Sequence, residues 1–173
     1  MADLLATADD LVDFGGPDRP GLDLALAVAS GVVQSACRQR LVYVDQDLVT
    51  LVGGGVRLIL PERPVISVLE VVDTADGTWS WDGRDGLARL SGRWPATVAV
   101  LYSHGYADVP ADLQGVTLTV ALRLLDNPSG LRAESVAGYS ATYGDAAGIS
   151  LTASERAVCD RYRRRAASVQ VTA

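Results

Sequence analysis

The 173-residue sequence has no lysine, a single histidine (His104) and two cysteines (Cys37 and Cys159), and each scarcity closes a class of function. One histidine is too few for a histidine-rich metal cluster, and it leaves a hydrolase one candidate base of that kind. No G-x-S-x-G elbow accompanies it. Ser103 is its neighbour in sequence, and adjacent side chains on a strand point to opposite faces, so the two do not form a nucleophile-base pair there. Cys37 and Cys159 are far apart in sequence, without a CxxC pattern, and fit two reduced thiols better than a zinc or thioredoxin-type site. With no lysine, Gly53-Gly54-Gly55 lacks the Lys-Ser/Thr of a phosphate loop and is expected to be a hairpin turn.

Long apolar runs are missing too. The longest, "GLDLALAVASGVV", spans thirteen residues and contains Asp23, too short and too polar to cross a bilayer. The amino terminus "MADLLATADDLVDF" is acidic where a signal peptide would be basic. Net charge is −6, and a sequence-independent nucleic-acid binder needs a basic surface to release counterions, so direct, tight DNA or RNA binding is disfavoured. The charge is uneven along the chain. Eight aspartates against three arginines give the first fifty residues −5, whereas Glu155 to Arg165 carries +3. Asp45, Asp47, Asp82 and Asp85 match no calcium-loop spacing and are expected to bond their own turns.

What is present is a periodic pattern for a single domain with a real core, 49% apolar and 21% charged. Thr7 with Asp9 and Asp10 predicts a short capped helix. Asp18 and Pro20 start a second, at about 20–39, with Leu22, Leu26, Ala29, Val33 and Cys37 on one face. From Leu41, six β-branched runs separated by Gly, Pro and Asp-Gly turns predict an antiparallel meander over 41–103. Trp79 and Trp81 share one face there, for core or subunit contact. Pro110, at the first helical position, opens a helix over 110–126 that is apolar around most of its circumference. "ESVAGYSATYG", within 134–144, alternates and predicts one exposed strand or hairpin arm. With no obvious partner nearby in sequence, it is expected to pair or pack across a subunit boundary, with Tyr139 and Tyr143 as anchors. Thr152 and Glu155 form a capping box for a last helix within 152–173, which ends in Arg161, Tyr162, Arg163, Arg164 and Arg165. The fold class is α+β: a small helical bundle with an inserted antiparallel β-meander.

The order of these parts carries a resemblance. "LILPERPVISVLEV", then "VLYSHGYADVPADLQGVTLTVALRLLDNPSGLRAESVAGYSATYG" and "SLTASERAVCDRYRR", resemble the head-to-tail adaptor, or connector, proteins of long-tailed bacteriophages over nearly the whole chain. The resemblance implies a structural virion protein, made in the host cytoplasm and located in the neck. It implies no enzyme activity and no cofactor. It implies a ring of twelve copies below the portal protein, which extends the DNA channel without specific DNA binding and receives the next neck or head-closure protein. His104, Gly105, Tyr106 and Pro110 then form the hinge where the β insertion returns to the bundle, and His104 is expected to hydrogen-bond that turn. Tyr139, Tyr143 and the segment from Arg161 to Arg165 are expected to meet the portal or a neighbouring subunit, with the portal favoured for the C-terminal helix and tail. The "GGG" hairpin and the "WSWDGRDG" turns depart from the pattern. The alternatives are another neck or tail-completion protein, a small hydrolase or nucleotide-binding enzyme using His104, and a nucleic-acid-binding packaging factor.

Overall fold

The computed structural model describes residues 3–16, 20–72, 78–126 and 150–164, and the backbone of 133–136 and 139–142. Its contacts divide the chain into two compact units. One unit comprises Met1–Arg38 and Val109–Arg163; the other comprises Gln39–Asp108 together with Arg164. The first is the helical bundle and the second the β insertion, in agreement with the α+β class expected.

In the bundle, α1 (Ala8–Asp13) starts at Thr7 with a complete capping box, because Asp10 Oδ2 accepts from the Thr7 amide at 2.8 Å while Thr7 Oγ1 accepts from the Asp10 amide. The backbone and side-chain bonds from Thr7 hold the Asp10 carboxyl below the usual carboxylate range. Helix α2 (Leu22–Cys37) begins later than expected. Pro20 lies two positions ahead of it, and Gly21 (φ +97°) takes the N-cap place, with its carbonyl accepting from the Ala25 amide. Asp18, expected to help start it, lies outside the described residues. The apolar face Leu22, Leu26, Ala29, Val33 and Cys37 is buried as the spacing required. Helix α3 (Ala111–Asp126) packs along α2 and buries Leu113, Val116, Leu118, Val120 and Ala121. Pro110 sits one place ahead of the first helical position: the Gln114 amide donates to its carbonyl, which makes it the N-cap. Helix α4 (Ala153–Arg161) carries the expected Thr152–Glu155 box. The buried hydroxyls are satisfied, since Ser30 accepts from the Leu5 amide and Thr117 donates to the Leu113 carbonyl.

All six runs of the insertion are strands: β1 (Val44–Val52), β2 (Arg57–Ile59), β3 (Val65–Val71), β4 (Trp79–Trp81), β5 (Gly86–Arg89) and β6 (Thr97–His104). Every pairing is antiparallel. The order is not sequential, however: β6 runs between β1 and β3, and β5 between β2 and β4. The first sheet turns Val49, Leu51, Val98, Val100 and Tyr102 inward, where they meet Leu58, Leu87 and Trp94 of the second sheet and its flanks. Trp79 and Trp81 pack against this core from one face, and the Arg89 guanidinium lies 5.4 Å from the Trp94 ring. Gly53 is a required glycine, because a Cβ there would overlap the Pro95 carbonyl.

"ESVAGYSATYG" corresponds to two strands, β7 (Ala133–Val136) and β8 (Tyr139–Thr142). They pair with each other, Val136 opposite Tyr139, so the ladder partner expected across a subunit boundary is supplied by the same chain. The even alternation of the sequence carries no sign of where one strand ends and the next begins.

Candidate interaction site

The junction after β6 is a closed structural corner. Alternation along β6 turns Tyr102 and His104 to the inner face, with ring centroids 5.0 Å apart, and sends Ser103 to the other. His104 is 0% exposed, and its Nε2 meets Asp47 Oδ2 at 3.1 Å. This corrects its expected role, since His104 bonds β1 and not the turn. A bulge in β1 between Val44 and Asp47, with Gln46 at φ +52°, re-aims Asp47 toward the ring. On the opposite face Ser103 Oγ donates to Asp45 Oδ1 at 2.8 Å and accepts from the Gln46 amide. Backbone bonds satisfy the turn itself: the Gly105 amide donates to the Pro64 carbonyl and the Tyr106 amide to the Leu41 carbonyl. Gly105 is at φ +89°, and a Cβ there would run into the Val42 carbonyl. Burial removes His104 as a base for a solvent-borne substrate, and the face separation keeps it from Ser103.

Other expected carboxylate roles divide. Asp82 caps its own turn, accepting from the Arg84 and Gly86 amides at 2.9 and 3.0 Å, and these bonds lower its pKa. Asp85 instead pairs with Arg63 at 2.6 Å beside a cleft of about 270 Å³. Asp45 and Asp47 lie in β1 and bond side chains of β6.

The bundle carries the features most suited to recognition. Asp112 at the start of α3 accepts from Tyr162 Oη at 2.8 Å and pairs with Arg161 at 2.9 Å, so both residues brace α4 against α3. Arg123 Nη2 lies 3.1 Å from each oxygen of Glu155, whose side chain is only 10% exposed. Cys37 and Cys159, 122 residues apart, are in contact as buried free thiols, with Cys37 Sγ 3.5 Å from the Cys159 carbonyl. The side-chain contact with the Cys159 thiol, and then burial, push the Cys37 thiol up. Arg163 makes only an exposed 3.5 Å contact with Asp160, and Arg164, itself part of the β-insertion unit, bonds the Pro61 carbonyl and Glu62 of that same unit. Tyr143 and Arg165 lie outside the described residues, and of Tyr139 only the backbone is described.

Two outward surfaces were not singled out from the sequence. The outer face of β1-β6-β3 presents Leu48, 61% exposed, opposite Leu101, with Val52 farther along β1. In the bundle, Pro20, Leu24, Val28, Leu124 and Leu125 line an apolar groove of about 470 Å³, and Leu24 is 70% exposed. A third groove, of about 430 Å³, is basic and lies between the end of α2 and the start of α4. Exposed apolar faces of this kind mark contacts with other macromolecules. Among the described residues no helix is long and apolar enough to cross a membrane.

The residues thus define an α+β protein whose polar clusters are structural and whose notable surfaces suit macromolecular contact. No protein-family model and no curated protein matches the chain. Its fold is similar to that of a chain from the neck of an empty GTA particle computed with C6 symmetry, with a TM-score of 0.58, 19% identity, and coverage of 97% of this chain and 92% of that one.

Proposed function

We propose that the chain is a structural, non-enzymatic component of the neck of a phage or phage-like particle, and within that class a head-to-tail adaptor. The observation that carries this reading is the similarity of fold, over nearly the full length of both chains, to a neck component of a GTA particle, a phage-like gene transfer agent. The exposed apolar sheet face and bundle groove support it, because such surfaces are costly in a free monomer and are covered in an assembly.

In this role twelve copies form a ring below the portal protein. Twelvefold order contains the sixfold symmetry of the neck computed for the similar particle. The ring extends the DNA channel and receives the next neck or head-closure protein. A net charge of −6 suits a wall past which DNA slides, since basic walls would hold the phosphates. The residues of contact with the portal or the neighbouring subunit are Tyr139, Tyr143 and those of the C-terminal element, Arg161 to Arg165. Arg161 and Tyr162 also fix the position of that element through Asp112.

Mixing the purified chain with portal rings and imaging the product by electron microscopy tests this. A ring of the chain on one face of the portal is the expected result. A chain that leaves the portal bare but joins a closed neck or a tail would make it another neck or tail-completion protein, and no affinity for any particle component would overturn the proposal.

A further inference from the structure

The basic groove is built from parts that are distant in sequence. Arg38 comes from the end of α2, Arg156 and Arg163 from α4 and the residues after it, and Val32, Ala36 and Leu151 give it an apolar floor. Its charges are poorly neutralised within the chain. No ion pair engages Arg38 among the described residues, Arg156 reaches only the Leu151 carbonyl at 3.5 Å, and Arg163 shares Asp160 at 3.5 Å. Three arginines and that one carboxylate leave the groove at +2.

Helix α1 has complementary chemistry. Asp9 and Asp13 lie four residues apart on one exposed side of it, and neither enters an ion pair among the described residues. Val12 between them and Phe14 just beyond are exposed apolar side chains, 42% and 52%. Asp10 is committed to the capping box. The free face of α1 is thus −2 with an apolar centre, against a groove of +2 with an apolar floor. The chain's own α1 does not fill its own groove, since both sets of charges remain without each other.

We propose that the groove of Arg38, Arg156 and Arg163 receives α1 of a second copy, with Asp9 and Asp13 meeting the arginines and Val12 and Phe14 covering the floor. Each copy has one helix to give and one groove to fill. The contact is therefore heterologous, and it repeats from copy to copy until the ring closes. This inference rests on the ring proposed above and names the contact that builds it.

The test uses two full-length variants, Asp9→Arg/Asp13→Arg and Arg156→Glu/Arg163→Glu, with circular dichroism confirming that each folds. Assembly on portal rings is read by native mass spectrometry and electron microscopy. Each variant alone sets like charge against like charge and should raise the concentration for half-assembly at least about tenfold. Mixed in equal amounts, the two variants should restore the ring, because each basic helix then meets an acidic groove and each acidic helix a basic one. If the wild-type chain forms rings and both variants do so at the same concentration, the contact is refuted while the ring stands. If the wild type forms no ring, the proposed function itself falls. Loss of assembly that mixing does not rescue, or duplex DNA binding by the wild type that Arg156→Glu/Arg163→Glu abolishes, assigns the groove another occupant and overturns the inference.

Discussion

Replacing Glu155 tests how the C-terminal helix is held, because one carboxylate there does two jobs. Oε2 accepts from the Thr152 amide at 2.7 Å, closing the capping box of α4, and both oxygens lie 3.1 Å from Arg123 Nη2. Arg123 Nε is already buried without a hydrogen-bond partner, so Glu155 is the group that offsets that cation in the bundle. Removing a cap costs about 1 kcal/mol. Breaking a buried pair costs about 3–5 kcal/mol when the remaining charge is sealed off, and roughly half of that here, because the Arg123 side chain keeps 21% exposure and water can reach it. Glu155→Ala should therefore cost about 3 kcal/mol. Glutamine at this position can still accept from the Thr152 amide, so Glu155→Gln should cost about 1.5 kcal/mol through the lost charge alone. For a chain of this size these losses correspond to falls in Tm of about 6–12 °C and about 3–6 °C. Thermal unfolding followed at 222 nm reads them, and a cycle with Arg123→Met isolates the pair, with an expected coupling of about 1.5 kcal/mol. No loss for the glutamine variant beside about 1 kcal/mol for the alanine variant would show that the carboxylate acts only as a cap, and equal losses for the two that only its charge matters. A loss below about 0.5 kcal/mol for both would refute the reasoning entirely.

Two further outcomes follow from the geometry. Gly105→Ala adds a left-handed backbone penalty of about 1 kcal/mol to a collision with the Val42 carbonyl, so it should destabilise the insertion by at least about 2 kcal/mol in urea titration, whereas Gly31→Ala, with open space at its Cβ, should not destabilise the chain. Asp10 and Asp82 are held below their unfolded pKa by backbone hydrogen bonds. Their contribution is therefore fully present above about pH 4 and is lost as pH falls through the lowered folded values. The urea midpoint should drop on acidification below about pH 4, and Asp10→Asn and Asp82→Asn should each flatten that limb; an unchanged acid limb in both variants would count against the hydrogen bonds.

The parts of the fold that were legible in the sequence are those whose signals are local. The burial of Leu22, Leu26, Ala29, Val33 and Cys37 follows from helical spacing, and Thr152 reaches Glu155 across three residues. The six strands are bounded by turn residues that have their own mechanism. Sheet order was not legible, because β6 pairs with β1 and β3 across intervals that no alternation encodes. The same distance hid the partner of His104: Asp47 is 57 residues away and reaches the ring only through a bulge. The left-handed turn at Gly105 has a local signal, since glycine acts on its own backbone. The contact of Cys37 with Cys159 had no local signal at all.

The arginines of the C-terminal segment show why a run of charge is not yet a surface. In sequence, Arg161, Arg163, Arg164 and Arg165 are one basic cluster, with nothing local to draw any of it inward. In the fold, Arg161 is drawn to Asp112 beside Tyr162, and Arg164 to Glu62 and the Pro61 carbonyl. Each of these pairs leaves less charge for a partner, and the Asp112 pair fixes where α4 ends. Arg163 stays outward because its contact with Asp160 is long and solvated, where a pair contributes about 0–1 kcal/mol. The outward basic feature of the bundle is instead assembled from Arg163, Arg156 seven residues earlier in α4, and Arg38, which lies more than a hundred residues before either. Folding thus turns a linear run into internal braces and gathers a different set of arginines into a groove, and that set is what a neighbouring acidic helix would meet.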